Sequence, residues 1–235
     1  MKLAVVVDNH PFNGFKNPWG LSIYGEYSNV KFLWDTGPDT GALEFNSKKL
    51  GIDLSDINFL AFSHEHFDHT GGLTYILKIA RNKNFVIYYP SGGSSTIPQL
   101  VKKLGRKIIL VTRTIQVAQS IFVTAPLYGP PWEEALAIVV KEGIILLAGC
   151  SHPGISRLAE KAVNNLKRNL YAVIGGFHLG SAPHSRVERE MLSLIGLGAK
   201  KISPIHCSGE YTRSFLKKNY PEIYLPLHVG SVIKL

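Results

Sequence analysis

The feature that most constrains this chain is where its histidines fall. The sequence runs to 235 residues and contains nine histidines. Hydrophobic runs ending at Phe62, Ala148, Ile174 and Ile205 are each followed closely by them: His64, His66 and His69 after the first, then His152, His178 and His206. A short hydrophobic run closed by turn residues reads as a buried strand. If the four strands lie near one another in a sheet, their carboxyl ends gather imidazoles into one pocket, the raw material of a metal site.

The rest of the chain is compatible with one substantial core. At 45% hydrophobic and 18% charged, it is neither a disordered chain nor a small disulfide scaffold. No linker, low-complexity segment or short repeat interrupts residues 1–235, so a single domain is expected. After Lys2 only five apolar residues precede Asp8, too few for a signal-peptide core, and no run approaches the ~20 apolar residues of a membrane span. Two cysteines, Cys150 and Cys207, cannot build a disulfide framework, and their scarcity suits a reducing compartment. A cytoplasmic protein with no membrane partner is expected.

Ile57 to Phe62 reads as a strand feeding Ser63-His64-Glu65-His66-Phe67-Asp68-His69. Thr70-Gly71-Gly72 then leads into Leu73, Ile76, Leu77 and Ala80, which share one helical face. The polar cluster therefore lies on a strand-to-helix turn. Leu3 to Val7, Val30 to Trp34, Phe85 to Tyr89, Lys107 to Val111 and Val117 to Thr124 are expected strands, and Leu136 to Val140 with Ile144 to Ala148 an expected hairpin. A helix is expected through Ile155, Leu158, Ala159, Ala162, Val163 and Leu166. Another, through Met191, Leu194 and Ile195, has Ser185 and Glu188 in the spacing of a capping box.

Within His64-x-His66-x-Asp68-His69, four candidate ligands fall in six residues. Neutral imidazole and carboxylate are ligands that Zn2+ accepts, with Mn2+ or Fe2+ as alternatives, and a catalytic centre keeps one position open for water. His64 and His66 project to the same side of an extended backbone. One ion could hardly use all four groups from so short a segment, whereas two adjacent ions could share them. Asp68 also suits the N-cap of the following helix, but the density of imidazole argues against a plain solvated turn. Cys150 and Cys207 are expected to be buried reduced thiols. His10 and His184 read as rim residues, and His228 as a satisfied histidine near the core.

On this motif the chain resembles the metallo-β-lactamase superfamily, whose hallmark is H-x-H-x-D-H on such a turn. Asp35, in Leu33-Trp34-Asp35-Thr36-Gly37, matches an earlier aspartate of the family pattern, His152 a later isolated histidine, and His206 one near the carboxyl end. The resemblance implies an α/β fold, an αββα sandwich of two mixed β-sheets with helices on the outer faces, carrying a binuclear metal site. It implies one ion on His64, His66 and His152 and a second on Asp68, His69 and His206. Asp35 would orient a ligand or the metal-bound water through a hydrogen bond, and Asp68 would also accept a proton from the attacking water.

One departure stands out. Most hydrolases of the superfamily carry a bridging aspartate where this chain reads Val173-Ile174-Gly175-Gly176-Phe177-His178-Leu179, and no aspartate lies between Glu160 and Glu188. His178 is the expected replacement, and an imidazole binds one ion rather than bridging two. Together with Gly149-Cys150-Ser151-His152-Pro153-Gly154 and Ile205-His206-Cys207-Ser208-Gly209, this segment resembles one branch in particular. That branch comprises metal-dependent hydrolases related to the 7,8-dihydropterin-6-methyl-4-(β-D-ribofuranosyl)-aminobenzene 5′-phosphate synthase. It tends to carry Glu-His-Gly-Leu-Ser where this chain has Pro18-Trp19-Gly20-Leu21-Ser22.

The implied activity is that of a hydrolase or transferase acting on an anionic, phosphorylated small molecule, a pterin diphosphate condensation being one form. Lysine and arginine outnumber acids 26 to 17, a formal charge of +9, which favours anionic partners. Nucleic acid is the less favoured partner, because the positive charge is scattered and 235 residues leave little room for a gripping insertion. A phosphodiesterase or nuclease, and a metal-binding protein without turnover, are the competing readings. The oxygen-reducing di-iron branch typically has glutamate where this chain has His66, which argues against redox chemistry.

Overall fold

The computed structural model describes residues 1–235, which divide into two compact units, residues 1–111 with 228–235 and residues 112–227. The first unit contains β1 (Lys2–Val7), β2 (Ser22–Tyr27), β3 (Val30–Trp34), α1 (Thr40–Lys49), β4 (Phe59–Ala61), α2 (Phe67–Thr70), α3 (Leu73–Ile79), β5 (Val86–Pro90), α4 (Thr96–Lys103) and β6 (Lys107–Val111). These strands run in sequence order across one mixed sheet, with a carboxyl-terminal strand, Val232–Lys234, added beside β1. Pairing is antiparallel up to β3 and parallel from β3 to β6.

Leu33, Leu60 and Ile87 share a core with Leu43 of α1, Ile76 of α3 and Val101 of α4. The alternate positions Phe32, Trp34, Phe59 and Ala61 are equally buried, and the Phe32 and Phe59 rings stack at 5.3 Å. Burial on both faces is why Phe32 to Trp34 of β3 and Phe59 to Ala61 of β4 read as continuous hydrophobic runs.

The second unit contains β7 (Ile115–Ala118), β8 (Ile121–Val123), β9 (Leu127–Tyr128), β10 (Trp132–Glu133), β11 (Leu136–Val140), β12 (Gly143–Ala148), α5 (Ile155–Leu166), β13 (Leu170–Gly175), α6 (His184–Gly196), β14 (Lys201–Pro204) and α7 (Glu210–Asn219). Its six-stranded sheet has the order β14-β13-β12-β11-β8-β7. The β12, β13 and β14 strands are parallel, and β11 pairs antiparallel with both β12 and β8. Helix α5 buries Ile155, Leu158, Ala159 and Ala162, and α6 buries Val187, Met191 and Leu194.

Several expectations change. The single strand expected over Val117 to Thr124 is two, because Ser120 takes a left-handed φ of 61° and turns the chain between β7 and β8. Asp68 does not cap α2: the N-cap position is His66, with no side-chain cap bond, and Asp68 lies inside the first turn. The Ser185/Glu188 capping box is also absent. Helix α6 begins after Pro183 without a side-chain cap, and Glu188 instead accepts a hydrogen bond from the Tyr211 hydroxyl at 2.7 Å. Helices α1 and α4 have no counterpart among the expected elements. Asp39 caps α1 by accepting from the Ala42 N–H at 2.8 Å. The buried Asn46 side chain then donates to the Val6 and Lys16 carbonyls at 2.8 and 2.7 Å. No helix is long and apolar enough to cross a membrane.

The α2–α3 junction lies tightly against residues 36–38. Gly71 has an ordinary helical φ of −64°, yet a methyl group there would collide with the Pro38 carbonyl. Gly196, in the last turn of α6, has open space around the same position. Gly71→Ala is therefore expected to cost about 1–3 kcal/mol by overpacking, while Gly196→Ala is neutral or slightly stabilising. Urea-denaturation midpoints check this; equal stability of the two variants would contradict the packing described.

Candidate metal centre

In the first unit the strand-to-helix turn is built around Asp35, which follows β3 and is fully buried. One carboxylate oxygen accepts the Ser63 N–H at 2.8 Å. The other accepts the Ser63 hydroxyl at 2.7 Å and meets His69 Nδ1 at 2.7 Å. An ionised carboxylate only accepts, so His69 carries its proton on Nδ1. Ser63 has spent its single hydrogen on Asp35, so its Oγ, 2.9 Å from His64 Nδ1, accepts from that ring too. One carboxylate thus sets two tautomers, directly for His69 and through Ser63 for His64. In both neutral rings the lone pair is left on Nε2.

The rings of the turn lie close together. The centroid of His64 is 4.7 Å from that of His66 and 4.2 Å from that of His69. His64 and His69 are buried and His66 is exposed. The Asp68 carboxylate lies 3.6 Å from His69 Nε2. Two electron-pair donors facing each other at that distance are stabilised by a cation shared between them, and the donor set of three imidazoles and one carboxylate suits a borderline divalent ion. The residues of this turn fit a metal.

In the second unit β12, β13 and β14 lie side by side, with Ala148 paired to Gly175 and Gly175 to Pro204. Their carboxyl ends deliver Cys150 and His152, His178, and His206 with Cys207. Three of the four histidine-bearing runs therefore share one sheet, while β4, which precedes His64, belongs to the sheet of the first unit. The His152 and His178 rings approach to 4.4 Å. Cys150, His178 and Cys207 each offer a ligand atom within 4.8 Å of the other two.

Hydrogen bonding to the Cys150 thiol, and then to His178, holds the Cys207 thiol well below the ordinary cysteine range, outweighing the upward push of burial. The bond with Cys207 raises His178 in return. His184 and His228 lie apart from this set. The exposed His184 ring stacks on Tyr211 at 3.4 Å, and the half-buried His228 ring stacks on Phe12 at 4.2 Å.

Sequence reasoning missed Glu133. Its fully buried carboxylate accepts three consecutive backbone N–H groups, from Cys150 at 2.8 Å, Ser151 at 2.7 Å and His152 at 2.7 Å. Ser151 closes the loop by donating its hydroxyl to the Gly176 carbonyl at 2.7 Å. The only signal in the sequence is the acidic pair Glu133-Glu134 directly before the apolar strand β11. Asp35, Ser151, His178 and His206 are four of the chain's eight non-glycine residues with left-handed φ. Each such residue costs about 1–2 kcal/mol, so the strain is concentrated where the ligands are aimed.

Asp35→Asn retains the volume but replaces one acceptor oxygen with a donor nitrogen, breaking the arrangement around Ser63 and His69. A 10–100-fold loss of Zn2+ affinity is expected, read by competition with a chromophoric chelator. Unchanged affinity would contradict the orienting role of Asp35.

Comparison with known proteins agrees with this geometry. A family model described as the metallo-β-lactamase superfamily matches residues 25–154. The 7,8-dihydropterin-6-methyl-4-(β-D-ribofuranosyl)-aminobenzene-5′-phosphate synthase of Methanocaldococcus jannaschii is 31% identical, across 95% of this chain and 93% of its own. Among solved structures, Tm1679, described as a metal-dependent hydrolase of the β-lactamase superfamily, has a TM-score of 0.83 at 22% identity, covering 100% of this chain and 99% of that one. The short form of human tRNase Z has a TM-score of 0.69 at 14% identity, covering 100% and 99%. These two likenesses show the fold alone. With the motif, the buried aspartate and the matches in agreement, the chain has the metallo-β-lactamase fold and belongs to that superfamily of metal-dependent hydrolases.

Proposed function

We propose that residues 1–235 act as one catalytic domain, a metal-dependent hydrolase or transferase whose substrate is an anionic, phosphorylated small molecule. The observation that carries the reading is the Asp35–Ser63 network, which leaves Nε2 of both His64 and His69 as the donor atom. By the family pattern His64, His66 and His152 would hold one ion, and Asp68, His69 and His206 the other, with His178 standing where relatives carry a bridging aspartate. Zn2+ suits this set of imidazoles and carboxylate, with Mn2+ or Fe2+ as alternatives. Bound there, such an ion lowers the pKa of water and polarises a phosphoryl oxygen.

The chain's own residues supply the rest. Asp35 fixes ring orientation, Glu133 fixes the loop carrying His152, and Asp68 would accept a proton. Similarity to the M. jannaschii synthase supports a substrate of the pterin diphosphate class. The charge of +9 supports an anionic one, and two buried thiols suit the reducing cytoplasm.

Replacing His66 and His152 together by alanine is expected to remove most bound metal, measured by elemental analysis, and to abolish turnover on a panel of phosphate esters, lactones and pterin diphosphates. Full metal content in that variant, or turnover by the metal-free protein, would overturn the reading. Polynucleotide binding that weakens steeply between low and physiological salt would instead favour a nuclease.

A further inference from the structure

We infer that Cys150, His178 and Cys207 form a sulfur-rich ligand set for a thiophilic divalent ion, so that the metal chemistry of the second unit rests on thiolate as well as imidazole. The inference takes from the proposed function only the presence of a divalent ion, and it adds ligands that reading leaves out.

The three side chains are brought together by topology rather than by chance surface proximity. They follow the carboxyl ends of three neighbouring parallel strands, and their ligand atoms lie within 4.8 Å of one another. In a tetrahedral zinc site with bonds of 2.0–2.3 Å, ligand atoms sit about 3.5–3.8 Å apart, so closing onto an ion requires movements of at most about an ångström. The backbone is already arranged for sulfur. His178, in its left-handed conformation at φ 51°, points its own N–H at Cys207 Sγ, 3.4 Å away.

Access is one-sided: Cys150 and Cys207 are buried while His178 is exposed. A Cys2His set is one of the recurrent catalytic zinc sets, with its fourth position left to water or substrate.

The charge balance also favours thiolates. Residues 161–187 contain no acidic side chain, so the anionic bridge of the family pattern is missing. Binding a divalent ion releases the two thiol protons to solvent and leaves two thiolates, whose combined charge of −2 offsets the ion.

The test is Co2+ added to the zinc-stripped, full-length protein. A near-ultraviolet thiolate-to-cobalt charge-transfer band is expected in the wild type and in H64A/H66A, but not in C150S/C207S, and it should weaken in H178A. Cobalt bound without that band, or a band surviving in C150S/C207S, overturns the inference and leaves the proposed function standing. No cobalt bound by the wild type overturns both. A second measurement needs no variant: Zn2+ should slow alkylation of both cysteines by iodoacetamide in the wild type. Equal rates with and without Zn2+ overturn the inference.

Discussion

A carboxylate buried out of reach of water must be met by donors or it destabilises the fold. Asp35 is such a group, and the donors that meet it are the N–H and hydroxyl of Ser63 and the ring of His69. Satisfying Asp35 therefore fixes the position of the residue before His64 and the rotation of His69 in one step. The left-handed backbone at Asp35 turns the chain out of β3 so that this contact is made. Thr36 reinforces it by donating both its N–H and its hydroxyl to the His69 carbonyl, at 2.7 and 3.0 Å.

The second unit solves the same problem with different atoms. Glu133 has its carboxylate saturated by backbone N–H groups, so it organises a loop rather than a pair of rings. The difference predicts different tolerances. Loss of the Asp35 carboxylate would remove the acceptor that holds the His69 proton on Nδ1. Changes at Glu133 would loosen the loop that carries Cys150 and His152. Glycine plays a matching part at Gly176, where a Cβ would press on the Gly149 carbonyl and Cys207 Sγ; only a bare backbone lets the loops after β12 and β13 come so close.

What was legible in the sequence was local or periodic. The H-x-H-x-D-H ligands lie within six residues, the β11–β12 hairpin turns on two residues between Val140 and Gly143, and α5 declares its buried face by spacing. The illegible parts depend on contacts distant in sequence. Glu133 lies 17 to 19 residues from the amides it binds and hides in an ordinary-looking acidic pair. Helix α1 buries Asn46 and Ser47 beside Ala42 and Leu43, and Asn46 is spent on the carbonyls of Val6 in β1 and Lys16 in the following loop, so no clear apolar stripe marks the helix. Cys150 and Cys207 are buried and unbridged, as expected of reduced thiols, but their nearness to His178 depends on strand order and not on local sequence.

Asp35 fixes the histidine tautomers before any ion arrives. Long-range 15N–1H correlation spectra of the zinc-free protein at neutral pH report it directly. His64 and His69 are both expected to carry their proton on Nδ1, leaving Nε2 as the donor atom. Protons found on Nε2 of these rings, or rapid exchange between the two nitrogens, would contradict it.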